Sequence, residues 1–193
     1  MRSSIVIKLT ASVIAIGWCI GAGAQPPGFG PPQQPEEVPD PIVAPIPDVA
    51  PITGPGNVYD SSAALWPDRG IEYYDYVIDE YRISGTAAGQ PYATRLVIRK
   101  PKDDSKFSGL IVAEAMHPAG AAHAFEYNSL YIMSEGHIAV EIDTQGIEQI
   151  AAYNPERYGF AKFANEQTSE ILAQAGVLIK SARARSRIST SAR

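Results

Sequence analysis

The sequence predicts an α/β fold in which an antiparallel hairpin leads into a parallel sheet with flanking helices. Three observations carry this expectation. Aromatic and β-branched residues dominate from Tyr73 to Ile83 and again from Tyr92 to Arg99, and the stretch between them, Ser84-Gly-Thr-Ala-Ala-Gly-Gln90, has turn chemistry. An apolar run from Gly109 to Met116, a helix-compatible stretch from Ala122 to Glu135 and a second apolar run from His137 to Asp143 then alternate strand with helix. That order implies crossover connections and parallel strands. Finally Phe163, Gln167, Ile171, Ala175 and Ile179 recur four apart, which gives a helix over 165–181 one buried face.

Each element has a local reason to start or stop. In the second hairpin strand Tyr92, Thr94, Leu96 and Ile98 fall on one face, and Lys100-Pro101 ends the strand because proline has no ladder donor. Lys102 to Lys106 is a polar loop into the strand at 109–116. The helix of 122–135 is expected to end at Gly136, which accepts a left-handed cap. The strand at 137–143 follows, and Thr144 to Gly159, which contains Asn154-Pro155, reads as an irregular excursion before the last helix.

The ends of the chain differ in character from its middle. Residues 1–24 place Arg2 and Lys8 before an uncharged run from Leu9 to Ile20 and then Ala22-Gly23-Ala24, the order of a secretory signal peptide, so cleavage is expected after Ala24. The apolar run is short for a membrane span, and no stable membrane anchor is expected after cleavage. Trp18 before Cys19 argues against lipidation of that cysteine. The implied destination is the periplasm or the exterior of the cell. Residues 25–58 read as a disordered linker, since eleven of the thirty residues from Pro26 to Pro55 are proline and Val43-Ala-Pro-Ile-Pro-Asp48 is echoed by Val49-Ala-Pro-Ile-Thr-Gly54. The folded region is expected over 59–180. Residues 181–193 hold four arginines and no acid and read as a disordered basic tail, with an arm for an anionic partner or an out-of-frame end as further readings.

Composition excludes several classes of function. With the signal peptide removed the single cysteine is gone, which excludes a disulfide, a thiolate nucleophile and a cysteine metal ligand. The 16 Lys and Arg fall to 14 without Arg2 and Lys8, against 21 Asp and Glu, a balance that argues against nucleic acid as a partner. No phosphate-binding glycine loop, dinucleotide fingerprint or repeat array is present, and no cofactor is expected.

Several short motifs occur in a telling order: Tyr81-Arg-Ile-Ser-Gly-Thr-Ala, Tyr92-Ala-Thr-Arg-Leu-Val-Ile-Arg-Lys-Pro101, a strand ending in Glu114, a strand ending Asp143-Thr-Gln-Gly146, and Asn154-Pro-Glu-Arg-Tyr-Gly159. Together they resemble a bacterial exported family of alpha/beta-hydrolase domain proteins, over about residues 60 to 180 and thus over the N-terminal half of that fold. The resemblance implies a carboxylic-ester hydrolase acting on a small ester-like molecule through a serine on a sharp turn. No Gly-x-Ser-x-Gly occurs, and His117, His123 and His137 all precede the place where the nucleophile should sit. No catalytic residue is therefore assigned, and the chain is expected to be truncated and inactive alone. The resemblance does assign the loop after the strand of 109–116 to the oxyanion hole, with Ala119 and Gly120 as donors because Pro118 has no N–H, and with His117, Glu114 and Asp143 shaping the site. An ordinary strand-to-helix turn is the other reading of His117-Pro-Ala-Gly120.

Other constellations point less far. His117, His123, Glu114 and Asp143 offer metal ligands in no zinc spacing, and no metal is expected. Glu114 and Asp143 end parallel strands, where they would form an acid and base pair or, more simply, cap the next helix. Tyr73, Tyr74, Tyr76 and Tyr81 would serve as a carbohydrate-binding stripe or as ordinary strand packing. The competing function class is a non-enzymatic exported module that binds or scaffolds.

Overall fold

A computed structural model describes residues 43–62, 66 and 68–181. The expected signal peptide, residues 25–42 of the proline-rich stretch and the basic tail from 182 onward lie outside the described residues. Five strands, β1 (Asp48–Pro51), β2 (Tyr76–Ala87), β3 (Gln90–Pro101), β4 (Ile111–Ala115) and β5 (Ile138–Ile142), form one mixed sheet in the order β1-β2-β3-β5-β4. All neighbours are antiparallel except β4 and β5, which are parallel with Ile111 opposite Ile138 and Ala115 opposite Ile142. Among the described residues four α-helices accompany the sheet: α1 (His123–Ser134), α2 (Ile147–Tyr153), α3 (Pro155–Tyr158) and α4 (Thr168–Lys180). The antiparallel hairpin, the parallel pair and the flanking helices thus stand as the sequence predicts.

The alternation of β5 explains how both faces of the sheet are covered. Ile138, Val140 and Ile142 join Leu96, Ile98, Tyr81 and Ile83 in a core closed by Ile171, Ala175 and Leu178 of α4. Ala139 points the other way, into a second cluster with Phe125, Ile132 and Met133 of α1. All five residues of β5 are buried, so the strand reads as a continuous apolar run broken only by Glu141. Gln167 and Gln174, polar members of the buried face around α4, are satisfied by the hairpin. Gln167 donates to the carbonyls of Ala87 and Gln90 at 2.9 Å, and Gln174 donates to Thr86 O at 2.7 Å while accepting from Tyr92 at 2.9 Å.

Helix α1 ends where Gly136 allows it to. Gly136 takes φ 71° and donates to Met133 O, while His137 N donates to Ile132 O, the paired bonds of a Schellman termination. Any side chain at 136 would place its Cβ 2.1 Å from Lys106 O.

Three local differences from the sequence reading have clear causes. The seven-residue loop expected at 84–90 shrinks to two residues, because Ala88 and Gly89 adopt φ 47° and 71° in a tight primed turn and the ladder runs on through Ala87 opposite Gln90. Strand β1 falls inside the stretch read as linker. Its Pro51 lacks a ladder donor, which an edge strand tolerates, and Asp48 to Pro51 pair with Ser84 to Tyr81. The excursion of 144–159 contains α2 and α3. Pro155 occupies the first turn of α3 and the Asn154 side chain accepts from Arg157 N, an ordinary helix start.

Candidate functional site

The parallel strands β4 and β5 end on the same edge of the sheet, where ligands sit in open α/β folds. The chain leaves β4 through a tight loop. His117 N donates to Ala121 O at 3.0 Å, Gly120 N donates to His117 O at 2.9 Å with φ 76° at Gly120, and Ala119 N donates to His117 Nδ1 at 3.1 Å. Both expected oxyanion donors, Ala119 and Gly120, are thus engaged within the loop itself. The bond from Ala119 also requires an unprotonated Nδ1, which leaves the proton of a neutral His117 on Nε2. The His117 ring stacks on His123 with 4.3 Å between centroids.

Three groups from elsewhere hold this loop. Tyr59 donates to Gly120 O at 2.9 Å, and Gln149 of α2 donates to Pro118 O at 3.2 Å. Gly146 presses against it with φ 63°, and a Cβ there would lie 3.2 Å from both Gly120 N and Pro118 O. Beside the loop a cleft of about 620 Å³ opens between Pro118, the Thr144–Gln149 segment, Phe163 and the start of α4 at Thr168. Its lining mixes apolar and amide groups, and Glu148 is the ionisable residue in it. Such a surface suits a small neutral or cationic molecule better than an anion.

Behind the cleft lies a buried ionic network. Arg95 Nε is 2.7 Å from Glu80 Oε1, Arg95 Nη1 is 3.2 Å from Asp143 Oδ2, and Arg99 Nη2 is 2.8 Å from Glu141 Oε2. Ser61 donates to Glu141 at 2.6 Å, and the Arg99 guanidinium lies over the Phe125 ring at 4.7 Å. From the far side Arg157 reaches Glu80 Oε2 at 2.6 Å and Tyr158 donates to Glu80 Oε1 at 2.8 Å. Burial acts to raise the Glu141 carboxyl, but Arg99 and Arg95 outweigh it and hold the group below its ordinary range. Asp143 goes the other way. Burial pushes it well above the carboxylate range, Arg95 counters this only in part, and Glu141 reinforces it. Of this neighbouring pair Glu141 is the stronger acid and Asp143 holds its proton to higher pH.

The structure therefore does not bring Glu114 and Asp143 together as an acid and base. Glu114 accepts from Ala124 N and Phe125 N, both at 2.8 Å, and so caps α1, whose N-cap residue Ala122 has no side chain able to do it. Asp143 is fully buried beside Arg95. Among the described residues no group of three or more His, Cys, Asp and Glu side chains is arranged to hold a metal ion. The sequence pointed to Arg95, Arg99 and Arg157 only as members of the resemblance motifs and assigned no role to them or to Glu80 and Glu141, although two arginines on one face of the mostly apolar run Tyr92–Ile98 and its end were the available signal.

A Ser–His pair does occur, with Ser108 Oγ 2.6 Å from His137 Nδ1, but it lies at the opposite edge of the sheet. His137 Nε2 is buried with no hydrogen-bond partner among the described residues, so no carboxylate orients the ring as in a triad. Neither a curated protein nor a solved structure matches this chain. A family model described as an alpha/beta hydrolase domain matches residues 44–190, well over half of the sequence, and the chain belongs to that family.

Proposed function

We propose that this chain is an exported, esterase-related member of the family that supplies the substrate-facing wall of a hydrolase site, as a part lacking the nucleophile and its partners, and that residues 1–193 alone do not turn over esters. The observation that carries this reading is the cleft at the carboxyl edge of β4 and β5, flanked by the loop His117–Gly120. Of the two candidate donors, Ala119 is the better placed. Its N–H is held by a side chain that rotation of His117 releases, whereas the Gly120 N–H is committed to a backbone carbonyl. Aimed at a developing oxyanion, such a donor is worth about 3 to 4 kcal/mol of transition-state stabilisation. The substrate class is a small, uncharged ester, in keeping with the cleft's lining.

Silence of the isolated chain is supported by the absence of any Gly-x-Ser-x-Gly and by the incomplete Ser108 and His137 pair. Export rests on the order of residues 1–24, and N-terminal sequencing of the exported protein should begin at Gln25. The engagement of both loop N–H groups favours a second reading, a binding module without chemistry. Purified chain is incubated with p-nitrophenyl acetate and with a fluorophosphonate. No turnover above buffer and no labelling are expected, and serine-directed labelling accompanied by turnover would overturn the proposal.

A further inference from the structure

We propose that a second groove, at the amino edge of the sheet, binds a neutral saccharide with Tyr73 as its stacking platform. The groove has a volume of about 460 Å³ and is lined by Tyr73, Tyr74, Asp75, Lys106, Met133 and Glu135 among others. It opens where β2 begins, β3 ends and β5 begins, so it lies at the end of the sheet opposite to the His117 loop.

The four tyrosines of this region divide cleanly. Tyr76 and Tyr81 are buried, and the Tyr76 hydroxyl donates to His137 O at 2.8 Å and Ile132 O at 3.1 Å, so these two serve the core. Tyr73 is 65% exposed, and its ring meets that of Tyr74 at 79° with centroids 4.8 Å apart. The segment carrying them is fixed at both ends. Tyr76 N donates to Ile71 O at 2.9 Å, Asp75 N to Glu72 O at 3.1 Å, and Lys102 N to Asp75 O at 2.7 Å, with Asp75 itself at φ 54°. A large aromatic ring is thus held in water by a rigid turn beside a concavity, an arrangement that lowers the ordering cost of binding.

The polar rim selects the ligand. Asp75 and Glu135 offer carboxylates that accept from hydroxyls, and Lys106, whose Nζ is 3.7 Å from Asp75, offers donors. Two acids and one ammonium disfavour an anion, while the ammonium and the perpendicular rings, which form no cage, disfavour an organic cation. A pyranose has an apolar face of C–H groups for the Tyr73 ring and a girdle of hydroxyls for the rim, which is the lining found in sites of this kind.

The test is calorimetric titration and saturation-transfer NMR of the full chain with cellohexaose, chitohexaose and maltohexaose, with benzyltrimethylammonium as a cationic comparison. Binding of at least one hexasaccharide is expected. Tyr73→Ala should weaken it about tenfold or more, while Tyr153→Ala, which removes an exposed ring elsewhere, leaves it unchanged. No binding of any hexasaccharide at on the order of 10 mM, binding insensitive to Tyr73→Ala, or a preference for the cation would each overturn the proposal. The readout is binding alone, so the outcome with nitrophenyl esters does not bear on it.

Discussion

Glu141→Gln and Asp143→Asn differ little on paper and should differ greatly in effect. Both residues are wholly buried and two positions apart, Glu141 within β5 and Asp143 just after its end. Glu141 accepts from Arg99 at 2.8 Å and from Ser61 at 2.6 Å. The glutamine keeps the shape but removes the anion, leaving the Arg99 charge buried without its counter-ion. Removing one partner of a buried pair costs about 3 to 5 kcal/mol, a large share of the ~5 to 15 kcal/mol that holds a domain folded. Asp143→Asn leaves Arg95 with Glu80 at 2.7 Å as counter-ion, and the raised Asp143 carboxyl has less charge to lose, so this change should cost clearly less than Glu141→Gln. The assay is urea unfolding at pH 7 followed by circular dichroism. At a slope of about 2 kcal/mol per molar, Glu141→Gln lowers the midpoint by ~1.5 to 2.5 M. The pH dependence has opposite signs at the two sites. The folded-state pKa of Glu141 is depressed, so its contribution is present above the unfolded value of about 4.3 and is lost as pH falls through the folded value. That of Asp143 is raised, so its contribution is complete below about 3.9 and is lost as pH rises through the folded value, and Asp143→Asn should gain on wild type over that rise. Equal midpoint losses for the two variants, or an Asp143→Asn variant that loses ground as pH rises, would refute the opposite shifts of the two carboxyls.

Three further changes test the loop and its supports. Gly146→Ala forces an L side chain to φ 63° and against Gly120 N and Pro118 O, and should cost about 1 to 2 kcal/mol, read by urea midpoint. Glu114→Ala uncaps α1 and should cost about 0.5 to 2 kcal/mol, with amide exchange accelerating at Ala124 and Phe125 before the rest of the helix. His117→Ala frees the Ala119 N–H, so exchange at that amide should quicken while the unfolding midpoint hardly moves, since the His117 side chain is exposed.

Much of the fold was written locally. The apolar runs at 109–116 and 137–143, the four-residue spacing from Phe163 to Ile179 and the glycine at 136 each act within a few residues, and strand, helix and cap formed where they stood. What the sequence hid was set by distant partners. Ser84 to Ala87 have turn composition, yet Gln174 and Gln167 bind the carbonyls of Thr86 and Ala87 and β3 supplies a full ladder, so the strand continues. Val49 and Ala50 sit among prolines, yet an edge position makes the missing donors harmless. The site was legible in its loop and illegible in its use of that loop, because the partners of the Ala119 and Gly120 N–H groups depend on a side-chain rotamer and a turn geometry that spacing does not specify.

The buried network also ties together the motifs that carry the resemblance. The motifs that bear the resemblance converge on it: Arg95 and Arg99 lie in Tyr92–Pro101, Asp143 opens Asp143–Gly146, and Arg157 and Tyr158 lie in Asn154–Gly159, while Glu80 and Glu141 adjoin others. A charge buried among β-strands is tolerated only when its counter-charges are fixed around it, so substitution at one of these positions exposes the others to an uncompensated charge. The network marks the sheet and the seating of β1, α3 and the Tyr59–Ser61 segment upon it, through Arg157 to Ile52 O and Arg95 to Tyr59 O. These motifs therefore build scaffold. The cleft lies beyond it, and the loop His117–Gly120 beside that cleft is held by Gly146, by Gln149 and by Tyr59, whose carbonyl Arg95 ties to the network.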